Sequence, residues 1–130
     1  MFIKSISLQN YRNYKNLSLD FDPKTNIFYG DNAQGKTNIL EAVYVSGTTR
    51  SHKSAKDREL IYFGEEEAHI CTIMERNGLD HKIDLHLRKN KTKGIAIDGI
   101  PIRKASELFG LVHFCVFFPG GSVHYKERPV

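Results

Sequence analysis

At 130 residues the chain can bury one hydrophobic core and is too short for two ordinary domains. Hydrophobic residues at 40% and charged residues at 26% are ordinary for a soluble globular chain, and no apolar run approaches the roughly 20 residues that cross a bilayer. A spanning helix is excluded. The net charge is only +4, so the placement of the charges says more than their sum.

The N-terminus, Met1-Phe2-Ile3-Lys4-Ser5, lacks the apolar core of a secretory signal, which points to a cytoplasmic chain. Phe2, Ile6 and Leu8 share one parity with Lys4 among them, so residues 2–9 read as a strand. Leu17, Leu19 and Phe21 alternate with Ser18, Asp20 and Asp22, the pattern of a half-buried strand. Pro23-Lys24 turns the chain into a short apolar strand, Asn26-Ile27-Phe28-Tyr29, which stops at Gly30.

Gly30-Asp31-Asn32-Ala33-Gln34-Gly35-Lys36-Thr37-Asn38 then forms a complete Gly-x-x-x-x-Gly-Lys-Thr phosphate-binding loop. Its chemistry is that of an anion nest. Gly30 and Gly35 allow the backbone to curl so that successive N–H groups face one phosphate, and the following helix adds its free N–H donors and positive dipole end. Lys36 is expected to reach the β- and γ-phosphates of ATP, and the Thr37 hydroxyl to ligate Mg²⁺. The bland alternative is a strand-to-helix turn with a chance Lys-Thr pair. A strand before and a helix after favour the phosphate loop. That helix is expected to begin near Lys36, to place Ile39, Leu40, Val43 and Tyr44 on one face, and to stop at Gly47.

Residues 48–58 read as a polar, basic linker, and Glu59-Leu60-Ile61-Tyr62-Phe63 as a short helix or strand. An antiparallel meander follows. Ala68 to Glu75 is apolar-rich and ends at the hairpin signal Asn77-Gly78; Ile83, Leu85 and Leu87 alternate with polar residues; Ile95 and Ile97 precede a second signal, Asp98-Gly99. Ser106 to Gly110 reads as a helical turn and Val112 to Phe118 as a strand. The fold class is therefore mixed α/β: a phosphate loop and its helix, then an antiparallel meander.

Two basic clusters stand out. Arg50, Lys53, Lys56 and Arg58 face only Asp57 in residues 48–58, and Arg88, Lys89, Lys91, Lys93, Arg103 and Lys104 face only Asp98 in residues 88–104. Arg50, Lys53, Lys56, Arg88, Lys89, Lys91 and Lys93 are the candidates for contact with DNA phosphates; the alternative is solvated hairpin tips. Cys71 and Cys115 lack any metal-ligand or redox spacing and read as reduced thiols.

The opening Phe2 to Tyr14, with Asn10-Tyr11-Arg12-Asn13-Tyr14 at its end, resembles the RecF family of bacterial repair ATPases, and so do Leu17-Ser18-Leu19 and Gly30 to Tyr44. Much of this is shared with SMC-like heads, but Arg50-Ser51-His52-Lys53 resembles the Arg-Ser-His-Arg segment of RecF more specifically. The resemblance covers residues 1–118. It implies the N-terminal portion of an ABC-type ATPase head that binds ATP and Mg²⁺. It also implies an ATP-dependent homodimer that engages single-stranded and gapped duplex DNA, and loading of RecA with RecO and RecR in recombinational repair and the SOS response. On this pattern Arg12 and Asn13 lie beside the nucleotide, whereas Tyr11 and Tyr14 pack.

The resemblance also has gaps. After Phe118 the family continues Pro-Glu-Asp-Leu and then Lys-Gly-x-Pro, whereas residues 119–130 begin Pro119-Gly120-Gly121-Ser122 and diverge, which reads as a truncated or frame-shifted tail. The strand ending in Asp-Glu and the Ser-Gly-Gly signature that hydrolysis needs are not found. Ile95-Ala96-Ile97-Asp98 runs into Gly99 and reads better as a turn. The chain alone is thus expected to lack complete hydrolysis machinery. The competing readings are another SMC-like P-loop ATPase, a non-catalytic nucleotide- or DNA-binding fragment, and an incompletely folded remnant.

Overall fold

The computed structural model describes residues 2–21, 33–109, 115–117 and 124–126. The expected strand Asn26–Tyr29, the loop residues Gly30, Asp31 and Asn32, and Gly120-Gly121-Ser122 lie outside the described residues. For Ala33, Gln34, Gly35 and Lys36 the description is of the backbone alone.

Six antiparallel strands make one sheet. β1 (Phe2–Tyr11), β2 (Tyr14–Asp20), β3 (Glu67–Arg76), β4 (Leu79–Arg88), β5 (Gly94–Ile97) and β6 (Ile100–Pro101) lie in the order β2-β1-β3-β4-β5-β6. The period-two pattern sets the inner face: Ile6 and Leu8 on β1, Ala68, Ile70, Thr72 and Met74 on β3, and Ile83, Leu85 and Leu87 on β4 are all buried. Lys4 does not break this pattern, because the register against β3 shifts between Ile3 and Ser5. The bulge lets Ile3 turn inward while the Lys4 ammonium reaches Asp80 at 3.0 Å.

Both hairpin signals are realised. Asn77 and Gly78 have φ of 56° and 79°, and Asp98 and Gly99 have 53° and 82°, the paired positive values of a turn whose twist matches its strands. A Cβ at Gly78 would meet no atom within 4 Å, so the cost of filling it is purely conformational. Gly78→Ala is expected to lose about 1–2 kcal/mol in urea unfolding with no change in denaturant slope, the penalty of holding an L-residue in the left-handed region.

Against the inner face lies α1 (Ala33–Thr48), and α2 (Ala105–Phe109) packs against α1. β7 (Cys115–Phe117) falls within the expected strand and pairs with β8 (His124–Lys126), an element not anticipated in the tail. The helix differs from expectation at both ends. It starts at Ala33 rather than near Lys36, and it passes through Gly47. Thr49, at φ 69°, ends it while its N–H still donates to the Val45 carbonyl at 2.7 Å. Nor does it bury one face only: Leu40, Val43, Asn38, Glu41, Ala42, Val45 and Ser46 are all buried, because sheet and C-terminal elements cover it from different sides.

The ambiguous segment after the basic linker resolves into a 3₁₀ turn, Asp57–Leu60, followed by an isolated bridge between Ile61 and Tyr11. The Glu59 carboxylate accepts the Lys56 N–H at 2.8 Å and closes the start of the turn. Leu60 and Ile61 enter the core while Phe63 is 96% exposed.

Candidate nucleotide site

Three segments line one cleft beside the N-terminal half of α1. The first is the helix itself, whose opening turn carries Ala33 to Lys36 and whose next residues are Thr37 and Asn38. A helix start leaves up to four backbone N–H groups without intrahelical partners, so anion-binding donors sit at the sequence position of the Gly-Lys-Thr motif. The second is the β1–β2 turn with Arg12 and Asn13. The third is the stretch from Leu60 to Glu65, which is pinned to that turn: Arg12 N–H donates to the Leu60 carbonyl and Tyr62 N–H to the Asn10 carbonyl, both at 2.8 Å.

Arg12 and Asn13 are docked onto α1. Arg12 Nε donates to Glu41 Oε1 and Nη2 to Glu41 Oε2, each at 2.9 Å, a fork-on-fork pair. Asn38 Nδ2 donates to Asn13 Oδ1 at 3.0 Å. A cleft of about 580 Å³ opens beside them, lined by Arg12, Asn13, Asn38, Arg58, Tyr62 and Lys89 among others. Its volume falls in the range of about 300–1,000 Å³ typical of small-molecule sites.

Glu41 organises this corner and was not singled out by sequence reasoning. It has no solvent exposure. Besides Arg12 it accepts the Tyr11 hydroxyl at 2.7 Å and the Ser51 hydroxyl at 2.5 Å, so every lone pair faces a donor. Burial pushes its carboxyl up, but the hydrogen bonds from Arg12, Ser51 and Tyr11 outweigh burial and hold it below the usual carboxylate range. Burial, together with the Glu41 charge, pushes the Tyr11 phenol well above its ordinary value. Tyr11 therefore packs, as expected, and does not face a ligand. The available signal was an acid flanked by Leu40 and Ala42 inside an apolar helix.

The basic candidates divide. Arg50, Lys53 and Lys56 are exposed on the loop after α1, and Lys89 and Lys91 are exposed on the β4–β5 loop. Lys93 is half-buried and committed internally: its ammonium donates to the Thr49 carbonyl at 2.5 Å and to Asp57 at 3.0 Å. It thereby ties the β4–β5 loop to the base of the other basic loop, bringing two clusters far apart in sequence side by side. Arg88 lies half-buried near His86, 3.5 Å from its ring nitrogen. Asp98 caps the Lys82 N–H and pairs with His81, both at 2.8 Å, which fixes it as a hairpin residue rather than a strand-end catalytic acid. Among the described residues no cluster of His, Cys, Asp and Glu could hold a metal ion, and no helix is long and apolar enough to cross a membrane.

This antiparallel sheet laid over the helix of a phosphate-loop sequence is the N-terminal part of an ATPase head. The chain belongs to the AAA ATPase domain family, whose model matches residues 1–103. Within that family its relatives are RecF proteins. The DNA replication and repair protein RecF of Agathobacter rectalis is 63% identical over 129 residues, and that of Lachnoclostridium phytofermentans 60%. Each match takes in 99% of this chain but 36% of the relative, so the chain spans about a third of the length of these proteins. A solved structure of the recombination mediator protein RecF with ATP superposes with a TM-score of 0.78 at 32% identity, covering 85% of this chain and 31% of that one. The SMC head domain from Thermotoga maritima matches at 0.67 and 20% identity, over 83% of this chain and 41% of that one, a likeness of fold.

Proposed function

We propose that the chain is the nucleotide-binding portion of a RecF-like ATPase that engages DNA in replication and recombinational repair. The observation that carries this reading is that Arg12, Asn13 and Asn38 line one cleft, with α1 beginning inside the phosphate-loop motif just before Asn38. In this reading the Gly30 to Asn38 motif supplies the phosphate site, with the free N–H groups of the first turn of α1, Ala33 to Lys36, as donors. Lys36 neutralises the β- and γ-phosphates, Arg12 and Asn13 flank the nucleotide, and the Thr37 hydroxyl is the ligand for Mg²⁺. The fit is supported by the helix start within the motif and by Arg58 and Lys89 on the cleft wall, which also carries Glu59 and Glu65 and the Arg12 guanidinium paired with Glu41. Titration calorimetry of the chain with Mg-ATP tests it, and absence of any binding heat or competition would overturn it.

DNA contact is assigned to the joined basic loops, with Arg50, Lys53, Lys56, Lys89 and Lys91 as the exposed cations and Arg88 and Lys93 beside them. Log affinity for DNA is expected to fall with log salt by about 0.9 per duplex phosphate neutralised, or 0.7 per single-strand phosphate. Lys56→Ala and Lys91→Ala should each reduce that slope by about one contact. A slope that ignores both substitutions would leave these residues as solvated loop tips.

The finer assignments rest on the kinship with RecF: cytoplasmic action at single-strand gaps, ATP-dependent dimerisation, loading of RecA with RecO and RecR, and a part in the SOS response. The chain by itself is expected to bind nucleotide without turnover above background. Its sequence shows neither a strand ending in Asp-Glu, which would orient the attacking water, nor a Ser-Gly-Gly signature, which would cap a partner's nucleotide. Magnesium-dependent, Lys36-dependent phosphate release would refute that.

A further inference from the structure

The Lys93 ammonium is bound to the two ends of one loop. Its acceptors are the Thr49 carbonyl at 2.5 Å and Asp57 Oδ1 at 3.0 Å, and residues 50–56 run between them. Thr49 ends α1 in the left-handed region, so its carbonyl lies where unpaired acceptors and the helix dipole favour a cation. Asp57 opens the 3₁₀ turn that carries Leu60 into the core. One ammonium thus closes the loop across its base, between two anchored elements.

Lys93 itself stands at the end of the β4–β5 loop, next to Gly94 at the start of β5. The other end of that loop is pinned as well, by the Lys89 N–H on the Glu66 carbonyl at 3.0 Å. Exposed cations ride on both loops: Arg50, Lys53 and Lys56 on the first, Lys89 and Lys91 on the second. The pair that joins them is sheltered, with the Lys93 side chain 21% and that of Asp57 30% exposed. Salt therefore screens this pair less than the cations it carries.

We propose that Lys93 and Asp57 are positioning residues: a clasp that fixes the two basic loops as one preorganised surface for a phosphate backbone, with the Lys93 charge turned inward rather than onto a phosphate. This rests on the DNA assignment above. Without the clasp each loop samples many arrangements, and a bound strand must order their side chains itself, which lowers affinity. With it, cations from both loops meet the same strand together.

The sign of one substitution separates the clasp from simple charge. Asp57→Asn removes a negative charge beside a cationic surface, which by electrostatics alone tightens binding to DNA. The clasp predicts the reverse. Affinity of the whole 130-residue chain for a labelled single-stranded oligothymidylate should fall about three- to tenfold, the order set by re-ordering one or two side chains. Asp20→Asn, the same change on the edge strand β2, should not weaken binding. Lys93→Met should lower the salt slope by more than the single contact expected of Lys56→Ala or Lys91→Ala, because cations of both loops lose their common placement. Lys93→Arg, which keeps the charge in a different shape, should recover part of that loss. Exchange of the Ser54 amide, which bonds the Ser51 carbonyl inside the closed loop, should quicken in Asp57→Asn. Unchanged or tighter binding in Asp57→Asn, a Lys93→Met slope reduced by one contact only, or unchanged Ser54 exchange overturns the clasp while leaving the DNA assignment intact. A parent chain that fails to bind the oligonucleotide at low salt removes that assignment, and the clasp with it.

Discussion

Lys36→Ala is expected to weaken Mg-ATP binding by roughly 10- to 150-fold, the largest effect of any single substitution on ligand affinity. The magnitude follows from what the ammonium would do. Charge-assisted hydrogen bonds to phosphate oxygens are worth about 1.5–3 kcal/mol each, and 1.4 kcal/mol is tenfold. The substitution is also unusually clean. Position 36 lies in the first turn of α1, and alanine is the strongest helix former, so the helix loses no backbone support. Thermal unfolding without nucleotide should therefore move little, while the stabilisation that ATP confers on the parent should vanish. Lys36→Arg should recover only part of the affinity, since a planar fork replaces a compact ammonium. Titration calorimetry decides the matter: parent-like affinity in Lys36→Ala would mean that the Gly-Lys-Thr pattern is a turn and not a phosphate grip.

Local chemistry made much of the fold legible. Asn77-Gly78 and Asp98-Gly99 marked two hairpins because few residue pairs accept positive φ at adjacent positions, and the alternation of Ile83, Leu85 and Leu87 set the inner face. What stayed hidden depended on partners distant in sequence. Lys4 looked like a flaw in β1 because a bulge is invisible until β3 supplies the opposing register. Gly47 looked like a helix stop, yet burial carries the helix on and Thr49 takes the left-handed position instead. Leu60 and Ile61 fitted helix and strand equally, since two buried residues carry no period. The site divides the same way. The Gly-Lys-Thr motif stood out by its pattern and Arg12 and Asn13 by resemblance, but their pairing in the fold with Glu41 and Asn38 did not. Glu41 stayed hidden because a carboxylate within an apolar helix reads as exposed until Tyr11, Arg12 and Ser51 are seen around it. Lys93 likewise counted as one more cation until Thr49 and Asp57 claimed it.

Glu41→Ala should be among the most destabilising single substitutions in the chain, at about 3–5 kcal/mol, the range for removing one partner of a buried ion pair. Deleting the carboxylate strands three donors at once. The Arg12 guanidinium, with its side chain 24% exposed, keeps its charge without a counterion, and the Tyr11 and Ser51 hydroxyls lose their acceptor in a dry environment. For a domain of this size that loss corresponds to a fall in Tm on the order of 10–20 °C. Glu41→Gln separates charge from shape: it keeps one acceptor oxygen but turns an amide N–H₂ toward donors, so it should also destabilise, though by less. The pH dependence gives an independent reading. The Glu41 carboxyl lies lower in the folded chain than in the unfolded one, so its contribution is fully present above the ordinary carboxylate pKa. It is lost as pH falls through the depressed folded value. The parent should therefore lose stability over that acid range, and Glu41→Gln, with no proton to bind there, should lose distinctly less. If urea midpoints of parent and Glu41→Gln fall in parallel with acid, the carboxylate is not the charged hub of this corner. Arg12 must then be held by something other than the pair that now defines it.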